Sequence, residues 1–463
     1  MSIDVALTSH TFLTDLDSHT RGDVLTPDMP GFNAAVAPFN RATSHRPDAV
    51  LAAADVSDVV AGIRAAVRHG RRVAVQATGH GAAATGPGTL LVSSRLLNDV
   101  QIDPTARTAT VGAGTIWQQV LDAAAPHGLA ALCGSAPHVG VVGYTLGGGL
   151  GPVARTFGFA ADHVLAMDIV TADGTVRTVS GDHEPDLFNA LCGGGGAFGV
   201  VVAMTFRLFD LPTLYAGGAF YSLDVARTVL HHWREWCLDL PDEVSTSVAR
   251  VNLPPDPGLP EPLRGRAVVH LRYAHVGDPV RGAALVRPLL EVAPPMLVTL
   301  EEIPYAAVGS VHADPVQPMP AVEGGLLLRE LPGAAIERFL EVTSPGAAGL
   351  PLAVTEIRLL GGALDRPPHV NAVAGRGAAF HVHPIAVPAG PGDVVAAEEG
   401  VRAVHEQLHA WTDGGVLMNF AGAAGPATRA ALHRTWGNAT HAGLSVLRER
   451  VDSSRVFDPM ARW

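Results

Sequence analysis

The chain has 463 residues, 48% of them apolar and only 16% charged, which is the balance of a packed globular protein with room for two cores. Its formal net charge is −12 and it contains no lysine, which excludes a lysine Schiff base, a pyridoxal-phosphate lysine and a P-loop lysine. No basic run invites nucleic acid or an anionic membrane.

Taken in chain order, residues 1–44 form a polar lead-in, part extended and part docked. No basic stretch precedes Arg21, and Asp55 and Asp58 interrupt the first long apolar run, so neither a signal peptide nor a membrane span is expected. Asp55 or Ser57 caps a predicted helix whose Val59, Val60, Ile63 and Val67 share one face and which Gly70 stops. Strands follow at 73–76 and 90–93, then a hairpin through Asp103-Pro104-Thr105 into Thr108–Val111. A helix over 115–126 ends near Gly128, and a second hairpin joins Val164–Thr171 to Thr175–Ser180. A short helix at Pro185–Leu191 leads to the strand Val200–Leu208, and Leu211-Pro212 marks a boundary.

Beyond it, strand-like runs at Ala267–Tyr273, Val354–Leu360 and Ala378–Val387 alternate with helices near 223–240, 278–291 and 333–342, so an antiparallel sheet covered by helices is expected. Pro- and Gly-rich connectors, such as 315–320 and 344–351, separate them. From Asp393 the pattern is helical, then a last strand at Gly415–Phe420 and a helix to about Val451. Cys133, Cys192 and Cys237 are scattered and odd in number, which fits a reducing, cytoplasmic setting.

Three small-residue loops stand beside apolar strands: Ala77-Thr78-Gly79-His80-Gly81, the stretch Gly134 to Gly151, and Gly193 to Gly199. Backbone stripped of side chains three times over suggests close approach to one large, flat, phosphate-bearing ligand. Gly194-Gly195-Gly196-Ala197-Phe198-Gly199 spells G-x-G-x-x-G, but a β-branched strand follows it where a dinucleotide fingerprint needs a helix. His405-Glu406-Gln407-Leu408-His409 spells a zincin helix, yet Thr412 and Gly415 stand where that motif's extension has glycine and histidine. His381-Val382-His383 puts two rings on one strand face without a third ligand nearby, so no metal is expected.

Gly79-His80-Gly81, Val111 to Gly114, Gly134 to Gly151, Asp168 to Gly174, Pro185 to Val201 and Met418-Asn419-Phe420 together resemble the FAD-linked oxidoreductases of the p-cresol-methylhydroxylase type, in the berberine-bridge-enzyme-like branch. The resemblance implies an α+β fold: a two-subdomain FAD-binding domain over 45–212, an antiparallel substrate domain over 213–400, and a segment 401–463 that returns to the first. It implies FAD bonded covalently through His80, and a single such bond, because Ala136 stands where doubly linked members carry cysteine. The cofactor-binding residues it implies are Val75, Gln76, Ala77, Thr78, Gly79, His80 and Gly81; Gly134, Ser135, Val139, Gly140, Val141, Gly143, Tyr144, Gly147, Gly148 and Gly149; Val201; and Asn419.

The tyrosine often found two places before that asparagine is Leu417 here, and the family's glutamate base has no clear counterpart. The catalytic candidates are therefore Tyr144, Tyr305, His312 and Glu356, with Asp314 and Arg358 beside them. Glu356 and Arg358 share a strand face, where an ion pair is the simpler reading. The expected function is removal of hydride from a C–H next to oxygen or nitrogen in a small molecule, such as a natural-product intermediate of secondary metabolism, with dioxygen as acceptor. The alternatives are an FAD-containing cyclase or isomerase, and a zinc hydrolase on 405–409.

Overall fold

The computed structural model describes residues 2–458 except 82, 345–350 and 423–425, without the side chains of 2–10, 391 and 426. Ala82 of the first loop and most of the 344–351 connector therefore lie outside the described residues.

The lead-in holds an unexpected helix, α1 (Ser2–His19), whose Phe12 and Leu16 lie one turn apart and bury against Val59 and Ile63. Its polar composition hid that stripe. The helix α2 (Val56–Arg68) begins where the Asp55 carboxylate accepts the Asp58 N–H at 3.1 Å. It packs on a parallel trio: β1 (Ala49–Ala52), β2 (Arg72–Gln76) and β3 (Thr89–Ser93), with β3 in the middle.

A second sheet is antiparallel: β4 (Val100–Asp103), β5 (Thr108–Gly112), β6 (Val164–Val170), β7 (Val176–Ser180) and β8 (Val200–Arg207), in the order β4-β5-β8-β6-β7. The predicted hairpins are both present. Between them run α3 (Trp117–Ala124) and the short α4 (Val141–Leu146), and α5 (Pro185–Gly194) precedes β8.

A third sheet walls a cavity. Its long strands are β9 (Thr213–Ser222), β10 (Val244–Asn252), β11 (Ala267–His275), β12 (Leu352–Leu359) and β13 (Phe380–Ala386), neighbours in the order β9-β11-β10-β12-β13 and all antiparallel. Side chains alternate across it. Val248, Leu271, Tyr273, Ile357 and Val382 are sealed under α6 (Ala226–Trp236), α7 (Pro279–Leu290), α8 (Gly333–Val342) and α9 (Val394–Leu408). Each such burial is worth roughly 1.5–3 kcal/mol. The opposite face holds His270, Arg272, Glu356, Arg358, His381 and His383, and it looks toward the first two sheets.

The last helix, α10 (Pro426–Val451), leads the chain back: Val73 N–H donates to Val456 O at 2.8 Å, and Val456 and Phe457 bury beside Leu51 and Val73. The stretch expected as a last strand is instead a tight turn at Met418–Phe420. That turn aims Asn419 at the glycine loop, as its hydrogen bonds below require. No helix among the described residues is long and apolar enough to cross a membrane.

Candidate active site

A cavity of about 1480 Å³ runs between the glycine loops and the polar face of the third sheet. Its first wall is the turn after β2. Gly79 adopts φ +79°, and a Cβ there would lie 2.6 Å from Pro38 Cα, so only glycine lets residues 36–40 close over the turn. Phe39 and Asn40 N–H groups donate to Thr78 O and Gly79 O, and Arg95 donates to Ala77 O at 2.8 Å.

His80 is fixed by this clamp. Phe39 stacks on its ring at 3.8 Å and 14°, His138 stands 4.8 Å away, and Nδ1 is 2.8 Å from the Thr78 hydroxyl. Nε2 is buried with no hydrogen-bond partner. Burial, then the neighbouring His138, pushes the imidazole pKa down to about 3 against the weaker pull of Asp314. The ring is therefore neutral and keeps a nucleophilic lone pair at ordinary pH.

The second wall is 134–147. The Ser135 hydroxyl donates to Asp314 at 2.6 Å, tying this loop to the substrate side. Asn419 closes the glycine turn from the far end of the chain: its carbonyl accepts Gly149 N–H at 2.8 Å and its amide donates to Tyr144 O at 2.9 Å. Gly195, Gly196, Gly199, Val200 and Val201 supply the third stretch.

Most of the sequence-predicted cofactor residues border the cavity: Val75 to Gly81, Gly134, Ser135, Val139, Gly140, Gly143, Tyr144, Gly147, Val201 and Asn419. Val141, Gly148 and Gly149 do not. Val141 turns into the core, while Gly148 and Gly149 pack against Val373 and Tyr144 and shape the turn rather than the wall. Phe420, beside Asn419, borders it too, as do His45, Phe39, His138, His270 and Arg272, which went unread. The pair His270 and Arg272, two apart in a strand, was the signal available.

Two catalytic candidates stand in the core. Tyr305 is buried in the core with its hydroxyl donating to Ala131 O at 2.7 Å, and burial holds its pKa well above the ordinary value. Tyr144 turns its ring into the same core, edge-on to Trp117, with its pKa likewise raised by burial. His312 and Glu356 do meet. Glu356 Oε1 lies 2.6 Å from the Ser247 hydroxyl, 3.0 Å from Arg272 and 3.3 Å from His312 Nε2, while Oε2 accepts from Arg358 at 3.0 Å. Burial alone would raise the Glu356 pKa, but Arg358, Arg272 and His312 outweigh it and hold it well below the usual range. The ion pair expected between Glu356 and Arg358 is present.

The zincin spelling has no matching geometry. His405 Nε2 meets Gly324 O at 2.9 Å, Glu406 pairs with Arg402, and His409 Nδ1 binds its own helix at Glu406 O. Among the described residues no group of histidines, cysteines and acids is arranged to hold a metal.

The FAD binding domain family matches residues 47–180. The solved structure of Physcomitrella patens BBE-like 1 superposes with a TM-score of 0.84 over 97% of this chain and 98% of that one, at 20% identity. Residues 47–180 thus match an FAD-binding domain, and the chain has the fold of the berberine-bridge-enzyme-like protein. Over 200 residues it is 34% identical to (R)-6-hydroxynicotine oxidase of Paenarthrobacter nicotinovorans, covering 43% of this chain and 44% of that enzyme. Xylooligosaccharide oxidase of Thermothelomyces thermophilus is 30% identical over 226 residues, 46% of this chain and 45% of that enzyme. These matches thus span less than half the length of either relative.

The residues of this FAD-binding domain fit the cofactor on the chain's own terms. A Cβ on Gly143, inside α4, would meet nothing within 4 Å and project into the cavity, and His80 Nε2 awaits a partner. Gly143→Leu should therefore abolish flavin uptake, read by absorbance of the purified protein. The apoprotein should unfold no more easily, and even gain about 0.5–1 kcal/mol from the better helix former.

Proposed function

We propose that the protein is an FAD-dependent oxidase or dehydrogenase that takes a hydride from a C–H beside oxygen or nitrogen in a small molecule, with dioxygen as electron acceptor and FAD bonded to His80. The observation that carries this is one cavity joining the neutral imidazole of His80, whose Nε2 has no hydrogen-bond partner, to the charged face of the third sheet. Flavin, when bound, supplies hydride acceptance and onward electron transfer; position and electrostatics come from the protein. The oxidase names of two sequence relatives support the reaction type.

In this reading Thr78 accepts from His80 Nδ1–H, which leaves the Nε2 lone pair free for the flavin bond. Phe39 holds the ring plane. On the substrate side His312 takes the hydroxyl or amine proton. With Nε2–H on Glu356, the lone pair sits on Nδ1, which has no hydrogen-bond partner. Glu356 is a positioning residue that steadies the resulting imidazolium, and its own depressed pKa makes it a poor base.

Burial first, then Arg272, lowers the His312 pKa despite Glu356. The neutral base should thus persist below the ordinary histidine value, and kcat/KM should fall only at more acid pH. His312→Asn should remove that acid limb and cost about 10²–10⁴-fold in kcat. An unchanged pH profile would move the proton to another group. Substrate added without oxygen should bleach the flavin; product formed at constant absorbance would instead identify a non-redox cyclase or isomerase.

A further inference from the structure

We propose that the substrate carries a carboxylate on an apolar body, and that Arg358 seats the carboxylate at the sheet end of the cavity. The inference rests on the FAD-dependent reading above and narrows its substrate class.

The charges at that end do not balance. Arg272 and Arg358 are 5% and 8% exposed, and Glu356, at 4%, is the carboxylate they share. The imidazoles around them, His270, His312 and His381, are all held toward the neutral form, so they leave that charge count unchanged. Two other acids that line the cavity are engaged elsewhere, Glu323 with His383 at 3.1 Å and Asp314 with Ser135 at 2.6 Å. Two buried guanidiniums against one carboxylate leave a positive charge in want of a partner.

The missing contact has an address. NH2 of Arg358 is spent on Glu356 and lies 3.2 Å from His312, whereas NH1 is buried without any hydrogen-bond partner. The guanidinium carbon stands 5.8 Å from the centre of the Phe420 ring, and Phe420 follows Asn419 at the glycine turn. Arg358 and Phe420 both line the cavity, so the guanidinium stands where its two halves meet. A guanidinium fork matches a carboxylate in shape as well as charge.

The remaining wall specifies the rest of the ligand. Leu253, Leu259, Leu297, Val354 and Ile385 line the cavity over the sheet. At about 1480 Å³ the cavity exceeds the roughly 300–1,000 Å³ of ordinary ligand pockets, which leaves space for an apolar body beside a cofactor. Asp256 and Glu301 border it at exposed positions and would repel an anion from the rim toward the deep end.

The test titrates the flavin-loaded protein with 2-naphthoate and with its neutral isostere 2-naphthamide, following the flavin absorbance. The carboxylate should bind about tenfold or more tightly, and Arg358→Gln should erase the difference while Arg358→Lys restores part of it. Equal affinities in the wild-type protein would overturn the assignment without any variant. So would an Arg358→Gln protein with unchanged naphthoate affinity and a lowered flavin reduction potential, because the guanidinium would then serve the cofactor. Purified protein carrying no flavin would overturn the oxidoreductase reading, and this inference with it.

Discussion

His80→Ala should give a protein whose acid precipitate is colourless, while the wild-type precipitate stays yellow. The expectation follows from the state of the imidazole. Burial and His138 hold its pKa near 3, so the ring is uncharged, and Nε2 has no competing partner. A folded-state pKa that low also means the lone pair is present throughout the neutral range. Attachment of added FAD to apoprotein should then be flat from about pH 5 to about pH 8. Phe39→Ala, which removes the ring stacked at 3.8 Å, should slow attachment without abolishing it. If the wild-type precipitate is colourless although the native protein is yellow, FAD is held by the loops alone and the covalent proposal fails.

Glu356→Gln should be the most destabilising single change on the sheet face, at about 3–5 kcal/mol, because it leaves two buried guanidiniums facing each other. Urea denaturation at neutral pH measures it. The pH dependence has a definite sign. The folded-state pKa of Glu356 lies well below its unfolded value, so its contribution is complete above the unfolded value and drains away as pH falls toward the folded one. The gap between wild type and variant should therefore narrow in acid. A constant gap would mean that the lost stability comes from packing rather than charge.

The parts of the molecule that were legible in sequence share one property: their signals are local. The capped helix after Asp55, the hairpin closing at Asp173-Gly174, and the glycines on either side of His80 each declare themselves within a few residues. What the sequence does not declare is tertiary. Nothing local says that Tyr305, in an irregular stretch, donates to Ala131 across 174 positions, or that Tyr144 turns inward toward Trp117. The two arginines that share Glu356 come from strands 86 positions apart, a separation that periodicity cannot bridge (Arg272 and Arg358). The stripe of α1 was hidden because Phe12, Leu13 and Leu16 meet a core whose other residues come from far along the chain.

Asn419 reaches back 270 positions to hold Gly149, and Val456 pairs with Val73. During translation, the glycine turn and the edge of the first sheet must therefore wait, incomplete, while the whole intervening sheet is made. The nascent chain has no finished seat for its dinucleotide, and capture of the cofactor becomes one of the last events in its maturation.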